Sequence, residues 1–203
     1  MQLEKTLNVA NHKCQALYYM ASGVPIVFLH GLSYTIGVWL RISVTERLIE
    51  KRVPFLALDM PYGLKSQCQP KTRNVEANLT VVAEAVKNVF GSAAPVLVGA
   101  SIGGHMALRY AARFPVKGLL VVAPARALEE DLVQVYGGFN FPVRIIWGSQ
   151  DSIISGEEMR TLADKLPNAK LLVYNGATHS AYQDQPEWFK RDLLELYAMA
   201  EQS

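Results

Sequence analysis

The 203-residue sequence predicts an α/β protein, a mainly parallel sheet of eight strands with helices on both faces. Two observations carry this. Short apolar runs alternate with longer amphipathic stretches along the whole chain. Polar residues or glycine close most of those runs, as strand ends do in such sheets. No repeat, low-complexity tract or Pro/Gly/Ser-rich linker interrupts the alternation, so one domain is expected over 1–203.

The elements follow in order. "QALYYMAS" and the segment before it alternate as a strand pair, and "PIVFLH" (25–30) is a compact β-branched and aromatic strand. Residues 37–51 can form a helix, and "PFLALDM" (54–60) is the next strand. Over 73–90 the apolar residues recur at three and four, and Gly91 stops that helix. "APVLVGAS" is a strand, 102–113 a helix closed by Pro115, and "KGLLVVAPA" a strand. "VRIIWGSQD", "GEEMRTLADKL" and "AKLLVYNGATH" read as strand, helix and strand with a loop. "PEWFKRDLLELYAMAEQ" closes the chain as a helix with Pro186 at its start.

Composition excludes several classes. Half the residues are hydrophobic and 19% are charged, with a formal net charge of +2, so no broad basic surface marks nucleic acid or an anionic membrane. No run approaches the roughly 20 apolar residues of a membrane span, and "MQLEKTLNVANHK" has no apolar core of signal-peptide length. Cys14 and Cys68 lie in no metal-ligand spacing and read as two free thiols in a reducing compartment, with a disulfide between them as the alternative. A cytoplasmic protein without metal or cofactor is therefore expected.

Ligands of parallel α/β sheets gather outside the carboxyl ends of the strands. Those positions hold His30-Gly31-Leu32, Asp59, Ser101, Pro124, Asp151 and His179. Ser101 follows a strand and opens a helix in the frame Gly99-Ala100-Ser101-Ile102-Gly103, a G-x-S-x-G nucleophile elbow. The turn is tight and its serine strained, so glycines two residues to either side remove a clash. A serine hydroxyl needs a base. His179, in the loop after the last strand, supplies one, and Asp151, at the end of the preceding strand, would fix its tautomer.

Ser101, Asp151 and His179 in their frames, with "FLHGL" upstream, resemble the α/β-hydrolase superfamily over nearly the whole chain. The resemblance implies an oxyanion hole made by the backbone N–H groups of Leu32 and Ile102. "LHGLSYTIGVW", "ALDMPYGLKS" and "NGATHSAYQDQPEWF" are similar to a small lidless subgroup, the domain-containing-14-type hydrolases. That likeness implies a compact esterase-like enzyme, with deacetylase activity proposed for the subgroup. One loop departs: relatives tend to read D-x-P-G-x-G-x-S, and here Tyr62 takes a usual glycine position in "DMPYGLKS". Only "ARALEEDLVQVYGGFNFP" separates two strands where many members insert a helical cap, so 125–142 is expected to be a reduced cap or lid.

The expected activity is hydrolysis of carboxylic esters of short or medium acyl chain through an acyl-enzyme, acting on a small-molecule ester or acyl substrate. Thioester and acetyl-lysine cleavage use the same machinery, and a ligand- or partner-binding module on this fold is the non-catalytic alternative. Tyr34, Tyr62, Ile153 and Tyr182 are candidate pocket residues. Competing structural roles exist. Asp151 could cap the helix at 156–166, Asp59 could satisfy backbone groups of its own loop, and His30 could brace the oxyanion turn. His105 is expected to point away from the pocket or pack under it, and His12 to be solvated.

Overall fold

A computed structural model describes residues 3–202. Met1, Gln2 and Ser203, which the single-domain expectation includes, lie outside the described residues. The strands are β1 (Leu3–Val9), β2 (His12–Tyr19), β3 (Ile26–Leu29), β4 (Phe55–Leu58), β5 (Val96–Ala100), β6 (Gly118–Val122), β7 (Val143–Gly148) and β8 (Ala169–Tyr174). They form one eight-stranded sheet in the order β1-β2-β4-β3-β5-β6-β7-β8. The β1–β2 hairpin turns through Ala10 and Asn11 at positive φ, and β2 runs antiparallel to β4. Every other pairing is parallel.

The helices are α1 (Gly37–Arg41), α2 (Val44–Glu50), α3 (Val75–Phe90), α4 (Ile102–Ala111), α5 (Glu130–Tyr136), α6 (Gly156–Lys165), α7 (Ala181–Asp184) and α8 (Pro186–Ala200). The central strands are apolar at every position because both faces are covered. Leu97, Leu119 and Val121 pack with Leu79 and Val82 of α3, Met106 of α4 and Leu162 of α6. Their alternating neighbours Val98, Leu120 and Val122 pack with Trp39 of α1, Leu48 of α2 and Phe189 and Leu193 of α8. The side-chain period of two divides each strand between two cores.

Three expectations need correction. The single helix over 37–51 is two helices, because Ser43 takes the left-handed conformation at φ 54° between α1 and α2. The break lets Trp39 and Leu48 both reach the same core face. The two cysteines are not free thiols: Cys14 of β2 and Cys68 of the loop after β4 form a disulfide. A separation of 54 residues hid a contact that only the antiparallel seating of β2 beside β4 creates. A backbone bridge between Lys13 and Gln69 joins the same two segments. Nor is His12 simply solvated: its ring is half-buried, with Nδ1 at 2.7 Å from the Ala10 carbonyl.

Between β6 and β7 stands one short helix, α5, and no large cap. No helix among the described residues is long and apolar enough to cross a membrane.

Candidate active site

The strand order reverses at β3. The chain leaves β3 toward α1 and α2 on one face, whereas α4 after β5 covers the other. Neighbouring strands whose connections depart to opposite faces leave a crevice at their carboxyl ends. The turn His30-Gly31-Leu32 and Ser101 stand at that crevice. A methyl group added at Gly31 would sit 3.9 Å from the Ser101 Cβ.

Ser101 is held at φ 53°, ψ −116°, a conformation that costs a non-glycine residue about 1–3 kcal/mol. The surroundings enforce it. Its N–H donates to the Val122 carbonyl at 2.9 Å, and its own carbonyl accepts from His105 N–H and Ala125 N–H. The flanking glycines are steric necessities. A Cβ on Gly99 would approach the Gly103 carbonyl oxygen to 2.3 Å, and one on Gly103 would approach that of Leu29 to 2.2 Å. Ile102 is the first residue of α4, so its N–H has no acceptor within the helix.

His179 and Asp151 meet in the loops that follow β8 and β7. Nδ1 of His179 lies 2.8 Å from Oδ2 of Asp151. The Asp151 side chain is fully buried, and its Oδ1 accepts from Ile153 N–H at 2.8 Å and Ile154 N–H at 3.0 Å. The capping role that competed for Asp151 belongs to Ser155, whose hydroxyl accepts from Glu158 N–H. With Nδ1–H donated to the carboxylate, the neutral ring presents Nε2 as an acceptor.

Other residues set the His179 loop, and the sequence reading missed them. Gly148 lets β7 pass beside it, since a Cβ there would meet the Thr178 and Ala177 carbonyl oxygens at 2.2 and 2.4 Å. Asp184 accepts from both Thr178 N–H and Thr178 Oγ1–H. The signal for Gly148 was present, a glycine at the end of an apolar run just before "SQD". Asp184 lies on a helix of four residues, α7, too short to show a period.

The histidine of the turn after β3 is structural. His30 is fully buried, with Nδ1 donating to the Gly31 carbonyl at 2.8 Å and Nε2 accepting from Met60 N–H at 3.0 Å. Burial holds its pKa below the ordinary imidazole value, against the opposing Gly31 carbonyl and the Asp59 carboxylate. Asp59 satisfies loop backbone, accepting from Ile36 N–H at 2.7 Å and Gln67 N–H at 2.8 Å. His105 is buried beneath the elbow on α4, with Glu129 at 3.7 Å.

The candidate pocket residues separate into two groups. Tyr34 is half-buried, with its hydroxyl 3.1 Å from Ser180 Oγ beside His179, and Ile153 is 68% exposed. Tyr62 and Tyr182 are only 4% and 1% exposed. Tyr182 packs on Trp39 and Phe189, and the Tyr62 hydroxyl donates to the His30 carbonyl at 2.6 Å. Both therefore offer a substrate little surface. Leu32, whose side chain is partly exposed, sits at the crevice rim.

The sequence pattern that defines the alpha/beta hydrolase family matches residues 26–143, more than half of the chain. The chain belongs to this family. Among curated proteins it is similar to Protein ABHD14A of Danio rerio, 28% identical over 173 residues, or 84% of this chain and 63% of the relative. It is also similar to "Putative protein-lysine deacylase ABHD14B" of Homo sapiens, 27% identical over 176 residues, or 84% of this chain and 81% of the relative. The chain thus spans less than two thirds of the ABHD14A protein. Among solved structures, a "predicted CIB-like hydrolase" from Thermoplasma acidophilum superposes with TM-score 0.86 at 21% identity, covering 96% of this chain and 97% of the other. An esterase from Exiguobacterium antarcticum superposes with TM-score 0.81 at 15% identity, covering 97% and 100%. At these identities the structures establish the hydrolase-family fold, and the ABHD14 proteins supply the sequence kinship.

Proposed function

We propose that this chain is a serine hydrolase that cleaves carboxylic esters of short or medium acyl chain. Ser101 is the nucleophile, His179 the general base and acid, and Asp151 the group that orients His179. The backbone N–H groups of Leu32 and Ile102 form the oxyanion hole. The observation that carries the reading is the His179–Asp151 hydrogen bond at 2.8 Å, on the same sheet edge as the strained Ser101. What sets this pair apart from the buried His30 and Asp59 is that the His179 side chain stays 20% exposed, so Nε2 can face a substrate while the two backbone donors hold Asp151 in place.

The steps follow from these groups. His179 Nε2 takes the Ser101 proton as Oγ attacks the carbonyl carbon, and the tetrahedral oxygen collects charge between the two amides. Each such donor is worth about 3 kcal/mol in the transition state. The imidazolium then protonates the leaving alcohol, and an acyl-enzyme remains. Water, deprotonated by His179, attacks the acyl carbon, and the second tetrahedral intermediate collapses to acid and free Ser101. Tyr34 and Ile153 border the path of the acyl or alcohol group, and residues 125–142 act as a reduced cap within a single domain. None of these steps uses a metal or cofactor.

A second reading has its own support. The same triad cleaves the amide of an acylated lysine or a thioester, and the ABHD14B relatives carry "protein-lysine deacylase" in their name. An open, nearly lidless crevice would admit a lysine side chain on a protein surface. The Cys14–Cys68 disulfide removes the free-thiol ground for expecting a reducing compartment.

The test is hydrolysis of p-nitrophenyl esters from acetate to decanoate by wild type and Ser101→Ala, with an acetyl-lysine peptide alongside. Turnover that the variant lowers at least about 10³-fold supports the triad, and the preferred substrate separates esterase from deacylase. A wild type that neither turns over nor labels with an organophosphonate probe refutes the hydrolase reading and leaves the binding-module alternative.

A further inference from the structure

We propose that Tyr62 is a positioning residue that presets the Leu32 amide for the oxyanion. The inference deepens the serine-hydrolase reading and rests on it. In a trans peptide the C=O and the following N–H point in opposite directions, so the Leu32 N–H is aimed by whatever holds the Gly31 carbonyl. That carbonyl accepts from His30 Nδ1–H at 2.8 Å and from Tyr34 N–H at 3.1 Å.

The peptides on either side are held by the loop after β4. The His30 carbonyl accepts from the Tyr62 hydroxyl at 2.6 Å, and the Leu32 carbonyl accepts from Leu64 N–H at 2.8 Å. Three successive carbonyls are thus tied, two of them by residues 62 and 64. The loop reaches the turn closely enough that a Cβ on Gly63 would meet His30 Cε1 at 2.5 Å.

The loop is itself braced. Asn78 of α3 accepts from Tyr62 N–H at 3.3 Å, and the Ser66 hydroxyl donates to the Met60 carbonyl at 2.6 Å. The Lys71 ammonium donates to the Gly63 carbonyl and the Ser66 hydroxyl, each at 2.7 Å. The first of these ties needs the Tyr62 side chain, whose hydroxyl reaches the His30 carbonyl at 2.6 Å. Its hydroxyl is buried in apolar surroundings and would be left without an acceptor if the His30 peptide rotated. Such a rotation therefore carries the cost of an unpaired buried polar group, and the turn is locked.

The experiment compares wild type with Tyr62→Phe, which removes one oxygen and keeps the ring. The readouts are p-nitrophenyl acetate kinetics, melting temperature and the affinity of a trifluoromethyl ketone that adds to Ser101 as a hemiketal oxyanion. The expected result is a kcat lower by about tenfold at unchanged KM, with ketone affinity falling by a similar factor; removal of an oxyanion donor itself costs more, about 10²–10³. A merely structural hydroxyl would lower the melting temperature without that matched loss. Unchanged kcat, or a loss of kcat with unchanged ketone affinity, overturns the proposal while leaving the triad intact. Lys71→Met, at an exposed site, is the second variant should Tyr62→Phe fold poorly. It loosens the same loop and is expected to give the same matched loss, smaller in size, whereas wild-type values for both readouts overturn the proposal. A wild type that turns over neither ester nor acetyl-lysine peptide and does not label with the organophosphonate probe overturns the serine-hydrolase reading and this proposal with it.

Discussion

Asp151 carries the sharpest consequence of a single side chain. One oxygen takes two backbone N–H groups from the turn that follows β7, and the other takes the His179 ring. Asp151→Asn keeps the size and one carbonyl oxygen. If that oxygen keeps the two backbone donors, the amide NH₂ faces Nδ1 and favours the tautomer with its proton on Nε2, which cannot accept from Ser101. The expected outcome is a kcat lower by about 10³–10⁴ with a melting temperature within a few degrees of wild type. Ester kinetics and a thermal melt on the same preparation check it. A variant that keeps more than about a tenth of wild-type kcat removes Asp151 from its orienting role.

Among the elements, glycine positions separate two kinds of constraint. Gly99 and Gly103 lie where β5 turns into α4, and a Cβ on either meets backbone oxygen at 2.3 or 2.2 Å. Backbone cannot step aside as a flexible side chain can, so Gly99→Ala is expected to cost about 3 kcal/mol or more. Gly137, at the end of α5, has φ −60° and ψ −19° with nothing within 4 Å of an added Cβ. Gly137→Ala is expected to be neutral or to stabilise by up to about 1 kcal/mol, because it restricts the unfolded chain. Urea midpoints of the two variants measure both effects. An unaffected Gly99→Ala would mean that the elbow is looser than its contacts imply. This element was legible in the sequence because the same two glycines serve turn and packing together. The break at Ser43 was not legible: no glycine or proline marks it, and the need for Trp39 and Leu48 to share one core arises only once the sheet exists.

Across the whole molecule, what the sequence shows is what depends on local period and order. Eight apolar runs and their polar ends placed Ser101, Asp151 and His179 on one sheet edge. What it hid depends on which distant segments become neighbours, as with Cys14 beside Cys68 and the Tyr62 hydroxyl under His30. The two core histidines, His30 and His105, set the pH response of the fold below neutrality. Burial lowers the pKa of both His30 and His105 from the ordinary value of 6.5, outweighing Asp59 beside the first and Glu129 beside the second. Lys71 near His30, and Arg109 and Arg126 near His105, act in the same direction as burial. A base with a lowered folded pKa binds fewer protons folded than unfolded, so stability rises with pH across that window. Their contribution is therefore full above pH 6.5 and declines as pH falls below it. The carboxylates of Glu76 and Asp131 are shifted down chiefly by their arginine partners, and Glu129, where burial is the largest single influence and opposes, is shifted down by Arg109, His105 and Arg126 together, so their contributions fade only at lower pH. Between about pH 6.5 and 5 the loss belongs to the histidines. Urea midpoints are expected to fall from pH 7 to pH 5, and His105→Gln, which keeps a polar side chain beside Glu129 and cannot titrate, is expected to flatten the fall. A wild-type midpoint constant over that range would mean that both rings accept protons in place, and the neutral hydrogen-bonded His30 of the turn after β3 would then be the wrong description.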